Sequence, residues 1–68
     1  MTKRGTMKPR DVVRKLSADR WVVKRKGPGD HVQYVHPRKP GKVTVDMGAG
    51  DIPMGTLRSI YRMAGWYW

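Results

Sequence analysis

The sequence predicts an α+β fold, with two helices and a three-stranded antiparallel sheet in the order α-β-β-β-α. Three observations predict it. Apolar residues recur at helical spacing near both ends of the chain. Three runs between them alternate apolar and polar residues. Short connections rich in Gly and Pro separate the runs. With 68 residues, 38% of them hydrophobic and none Phe, the chain has material for one domain and a thin core. A single sheet covered on one face suits such a core.

Met1 to Thr6 reads as a flexible basic tail, and residues 7–68 as the domain. Pro9 suits the first turn of a helix. That helix is predicted over Pro9 to Ala18, with Val12, Val13 and Leu16 on one face. The first strand run, Trp21 to Lys26, sets Trp21 and Val23 against Val22 and Lys24. His31 to His36 sets Val32 and Tyr34 against His31 and Gln33. Lys42 to Met47 sets Val43 and Val45 against Thr44 and Asp46. Period-two alternation gives each strand one buried and one wet face. Gly27-Pro28-Gly29 and Pro37-Arg38-Lys39-Pro40-Gly41 are turn chemistry, short enough for hairpins. After Gly48-Ala49-Gly50, Thr56 is the predicted cap of a second helix running to about Ala64. Its apolar face is Leu57, Ile60, Tyr61 and Ala64, and Gly65 is a natural stop. Both helices are needed to cover one face of the sheet. This is the architecture of the double-stranded RNA-binding fold. Trp21, Tyr34 and Tyr61 fall at core positions. Trp66-Tyr67-Trp68 is assigned to packing or to an interface, ahead of stacking on RNA bases.

Charge narrows the function. Fifteen Lys and Arg face five Asp and no Glu, a formal net charge of +10. So lopsided a charge destabilises the compact state by self-repulsion, and it predicts an anionic partner: nucleic acid, an acidic protein or, behind these two, an anionic membrane. The absence of Cys excludes disulfides and thiolate metal sites, and the composition fits a reducing cytoplasm. No His or Asp pair sits at a recognisable ligand spacing, so no metal or cofactor is expected. No run approaches the roughly 20 apolar residues of a membrane span.

The chemistry concentrates at Gly29-Asp30-His31. His31 opens a strand just after a glycine-rich turn, and the turn follows the basic run Lys24-Arg25-Lys26. An imidazole exchanges protons near neutral pH, and cations attract and neutralise phosphate. Together they are a minimal apparatus for cutting RNA. His31 shares the wet face with Gln33, where packing gives it no purpose. It is the candidate catalytic residue. Lys24, Arg25, Lys26, Gly29, Gln33, Arg38 and Lys39 are the candidate RNA contacts. His36 lies five positions from His31, an odd offset, so the rings point to opposite faces and stand roughly 16 Å apart along a strand. His36 is read as a turn residue. Asp30 is either an electrostatic partner of His31 or points the other way along the strand.

From about Met7 to Trp66 the chain resembles the HicA family of bacterial toxins. The resemblance rests on Asp19-Arg20-Trp21, Gly29-Asp30-His31, Tyr34-x-His36-Pro37, Pro40-Gly41-Lys42-Val43-Thr44-Val45 and the long match from Asp51 to Ile60. In this order and spacing the motifs are specific. The chain departs from the family pattern at Asp30, where Ser is common, and in Asp46-Met47-Gly48-Ala49-Gly50. The resemblance implies a ribosome-independent endoribonuclease that cleaves mRNA with a single catalytic histidine, at the position of His31. It also implies a cognate HicB-type antitoxin as partner. Two alternatives share the fold and the charge: a non-catalytic double-stranded RNA-binding module, and a small basic ribosomal or nucleoid protein. The first of these typically opens its last helix with a Lys-rich phosphate motif, and here Gly55-Thr56-Leu57-Arg58 offers one cation. The second has no use for an exposed strand histidine.

Overall fold

A computed structural model describes residues 7–68, so the predicted tail, Met1 to Thr6, lies outside the described residues. Helix α1 (Pro9–Ala18) begins with proline in its first turn, and Asp11 accepts a hydrogen bond from the Lys8 amide at 3.4 Å. A carboxylate there also complements the positive end of the helix dipole. The helix ends in a two-bond closure. The Arg20 amide donates to the Ser17 carbonyl at 3.1 Å and the Trp21 amide to the Leu16 carbonyl at 2.9 Å. This closure needs one residue in the left-handed region, and Arg20 takes it at φ 73°.

Three strands follow: β1 (Val22–Lys26), β2 (His31–Val35) and β3 (Lys42–Asp46), antiparallel and in that spatial order. Tyr34 stands opposite Val43, and Val32 opposite Val45. These four face the helices; Tyr34, Val43 and Val45 are buried and Val32 is half-buried. Helix α2 (Met54–Ala64) adds Leu57, Ile60, Tyr61 and Ala64 to the core, and α1 adds Val12 and Leu16. Full burial of such an aliphatic side chain is worth about 1.5–3 kcal/mol, so this small set carries most of the stability. The arrangement matches the predicted α-β-β-β-α order and is consistent with the double-stranded RNA-binding-like fold. Among the described residues, no helix is long and apolar enough to cross a membrane.

Two local expectations need correction. Alternation assigned Val23 to a buried face, yet every residue of β1 is exposed, with Val22 at 56% and Val23 at 50%. Both helices pack against β3. The outer strand β1 therefore extends past their cover, and neither of its faces is sealed. Trp21, just before the strand, is buried instead. The second correction concerns the start of α2. Its cap is Pro53, not Thr56, and the Leu57 amide donates to the Pro53 carbonyl at 2.9 Å. Proline has a fixed φ and no amide to satisfy, so it starts the helix by geometry alone.

The end of α2 repeats the closure of α1. Gly65 is left-handed at φ 75°, and the Trp66 amide donates to the Tyr61 carbonyl at 2.9 Å. Each closure is thus followed by a tryptophan, and both indoles donate to the same oxygen, Asp19 Oδ2, at 3.0 Å. Trp66 and Trp68 both meet the Tyr61 ring edge-on, with centroids 5.2 Å apart. Tyr67 between them is 95% exposed.

Candidate functional site

On the face of the sheet turned away from the helices, β2 presents His31, Gln33 and Val35. Strand alternation sends them opposite to Val32 and Tyr34. His31 is exposed, and its Nδ1 lies 3.4 Å from the Pro28 carbonyl. Gly29, left-handed at φ 64°, bends the connection that delivers the imidazole to the start of β2. Beside the ring is a notch of about 440 Å³ lined by Arg25, Lys26, Gly27, Pro28, His31, Gln33 and Thr44. Cross-strand pairing builds it: Arg25 stands opposite Gln33, and Gln33 opposite Thr44. The notch therefore brings together a proton-exchanging ring, cationic side chains, an amide and a hydroxyl.

Of the residues chosen from the sequence, His31, Arg25, Lys26 and Gln33 meet at this notch, and Gly29 shapes the turn beside it. Lys24 does not line it and has no partner in the β1–β2 ladder. Arg38 and Lys39 lie beyond the opposite end of β2. Lys39 is engaged there: its ammonium donates to Asp19 Oδ2 at 2.6 Å and to the Ala64 carbonyl at 2.9 Å. Thr44 also lines the notch, and nothing in the sequence singles it out. Its place on the wet face of the third run was legible, but the register that sets it opposite Gln33 was not.

His36 sits apart from the notch. Its Nδ1 accepts from the Arg38 and Lys39 amides at 2.9 and 3.1 Å, so the proton is on Nε2, which donates to the Asp19 carbonyl at 2.7 Å. The ring also meets Trp21 edge-on at 5.2 Å. Both ring nitrogens are thus spent on backbone groups, of the turn and of the end of α1. Asp30 points away from the imidazole's face. Its carboxylate fills the space a side chain at Gly48 would need, 2.5 Å from where a Cβ would lie.

The Asp19 carboxyl is held at about 2, below its ordinary 3.8. The hydrogen bond from Lys39 is the main cause, followed by those from Trp66 and Trp21. Burial alone raises the pKa of the Tyr34 hydroxyl, in keeping with its place in the core. Among the described residues, no group of three or more His, Cys, Asp or Glu is placed to hold a metal ion.

The family model for the HicA toxin of bacterial toxin–antitoxin systems matches residues 9–66. The chain belongs to the HicA toxin family. The match covers both helices and all three strands, so this HicA chain carries the fold and the His31 notch within the matched region. No curated protein matches it significantly. A toxin of this kind has an antitoxin partner. The notch and the exposed strand β1 lie on surface that the fold itself leaves uncovered.

Proposed function

We propose that this HicA toxin is an endoribonuclease that cleaves mRNA through His31 and is silenced by a HicB-type antitoxin. The observation that carries the proposal is the position of His31. It is an exposed imidazole with no packing role, set at the edge of a cation-lined notch on a chain of net charge +10.

RNA supplies its own nucleophile, the 2′-hydroxyl beside each phosphodiester. Cleavage needs that hydroxyl deprotonated, the attack held in line, the phosphorane charge stabilised and the leaving oxygen protonated. His31 serves as general base or acid, a role worth about 100- to 10,000-fold in rate. Cations around the notch attract the backbone and offset the developing charge. The sequence carries no code for reading particular bases, so we expect weakly sequence-selective cleavage. An acidic antitoxin would find the toxin quickly by electrostatic steering and cover the His31 face.

The test is His31→Ala, incubated with single-stranded RNA in the presence of EDTA. We expect cleavage and cell toxicity to vanish, RNA binding to persist, and stability to change by no more than about 0.5 kcal/mol, because the side chain is exposed. Cleavage by the variant at the wild-type rate would end the histidine mechanism. Binding without cleavage by the wild type would make the chain an RNA-binding module.

A further inference from the structure

The three cations Lys24, Arg25 and Lys26 end β1 side by side, and a regular strand would divide them between its faces. Val22 pairs with Val35 and Val23 with Tyr34. Continued regularly, that register would set Lys24 opposite Gln33, Arg25 opposite Val32 on the helix side, and Lys26 opposite His31. The chain does otherwise. A bulge between Val23 and Arg25 inserts one residue, after which Arg25 pairs with Gln33 and Lys26 with Val32. The bulge sets Arg25 in register with Gln33 on the His31 face and Lys26 opposite Val32, although the Lys26 side chain also lines the notch. It also brings Gly27 across from His31, with the Gly27 amide donating to the His31 carbonyl at 2.8 Å.

The consequence is a particular vacancy. Gly27 puts no side chain across from the imidazole, and a Cβ there would meet the His31 Cβ only at 3.8 Å. Arg25 stands two pairs further along, on the same face, at a diagonal of roughly 7–8 Å, within reach of a long side chain. Arg25, Gly27 and His31 all line the notch. The Arg25 guanidinium makes no hydrogen bond or ion pair among the described residues, whereas Lys8, Arg14 and Lys39 are each paired with an Asp. Bulges recur beside functional sites because they re-aim a side chain. Only a guanidinium offers a planar fork that matches two oxygens of one phosphate.

We propose that Arg25 is the catalytic cation of the His31 site, that it grips the non-bridging oxygens of the scissile phosphodiester across the gap left by Gly27, and that the bulge at Lys24 serves to aim it. This deepens the ribonuclease function above and rests on it. In the step concerned, the 2′-oxygen bonds to phosphorus and the bond from phosphorus to the 5′-oxygen breaks. His31 takes the 2′ proton, and the 5′-oxygen gains one from water. Arg25 transfers no proton; it holds the two oxygens on which charge gathers. Lys24 and Lys26 add only to the general attraction for the backbone.

Four variants test this: Lys24→Ala, Arg25→Ala, Lys26→Ala, and the exchange Lys24→Arg with Arg25→Lys. The first three each remove one charge, and the exchange keeps the composition. Cleavage at saturating RNA is measured beside RNA affinity, with thermal melting as the folding control. Arg25→Ala should slow saturated cleavage by about 100- to 1,000-fold, the usual loss for one donor to a developing anion. The exchange should slow it by about tenfold or more, since an ammonium lacks the fork. Lys24→Ala and Lys26→Ala should weaken affinity a few-fold and slow saturated cleavage at least ten times less than Arg25→Ala. Equal effects from all three alanine variants, or a silent exchange, would overturn the role of Arg25 while leaving the ribonuclease function standing. A wild type that does not cleave, or an active His31→Ala, would overturn both.

Discussion

The two histidines show how position sets the role of one residue type. His31 is exposed and loosely held, with a single 3.4 Å approach to the Pro28 carbonyl. His36 is half-buried, its two ring nitrogens share three hydrogen bonds to backbone groups, and its ring leans on Trp21. Truncating His36 leaves the Asp19 carbonyl and two amides of the turn without their partner. We therefore expect His36→Ala to destabilise the fold by about 2–3 kcal/mol, most of it the cost of unmade hydrogen bonds. Urea denaturation of the two alanine variants checks this. A His36 variant as stable as His31→Ala would remove the bracing role. Asp19 makes a second test. Its carboxyl is near 2 in the folded chain against 3.8 ordinarily, so folding favours the ionised form. Its contribution is complete above the ordinary value and is lost as pH falls toward the lowered one. Thermal midpoints should drop between about pH 5 and pH 2, and the drop should be smaller in Asp19→Asn, which begins less stable. An unchanged acid profile in that variant would show that other groups govern acid unfolding.

At the scale of elements, the two helices end alike but from different residues. Gly65 accepts the left-handed conformation at little cost, whereas Arg20 takes the same conformation with a Cβ. A non-glycine residue there costs roughly 1–2 kcal/mol, part of which glycine would return as unfolded-chain entropy. Arg20→Gly is expected to stabilise the protein by about 0.5–1 kcal/mol, a rise of roughly 2–8 °C in thermal midpoint for a domain of this size. A lower midpoint would mean that the Arg20 side chain makes an offsetting contribution. Strand β1 differs from both helices. It is held by β2 alone, has two exposed valines, and carries its cations on an edge. Charge at an edge discourages pairing with another copy of the same basic chain.

The whole molecule is organised by charge at two ends of its sheet. At one end, Asp19 draws Lys39, Trp21 and Trp66 together through a single oxygen, and its carbonyl takes His36. The end of α1, the β2–β3 connection and the end of α2 are thereby tied at one point. At the other end, the His31 notch has cations without anions paired to them. A chain of net charge +10 with that asymmetry should bind RNA with a steep dependence on salt. Removing one phosphate-contacting cation at the notch should flatten the slope of log affinity against log salt by about one unit. Titrations between low and moderate salt measure it. A salt-independent affinity would contradict phosphate contact, and equal flattening by Lys39→Met would show that the far end binds RNA too.

The sequence by itself determined the order of elements, because hydrophobic period depends on neighbours along the chain. Leu57, Ile60, Tyr61 and Ala64 had to lie on one helical face, and Val43 and Val45 on one face of a strand. It also determined the separation of His31 from His36, since an odd offset on a strand is a local property. Tertiary structure decided what depends on elements meeting. The exposure of Val23 follows from both helices packing on β3, which no strand pattern encodes. Lys39 looked like any cation beside a turn until the fold set Asp19 and the Ala64 carbonyl against it. Thr44 joined the notch only through the pairing of β2 with β3. Arg25 turned toward His31 only because β1 takes up one extra residue against β2, and register is a relation between two strands rather than a property of either.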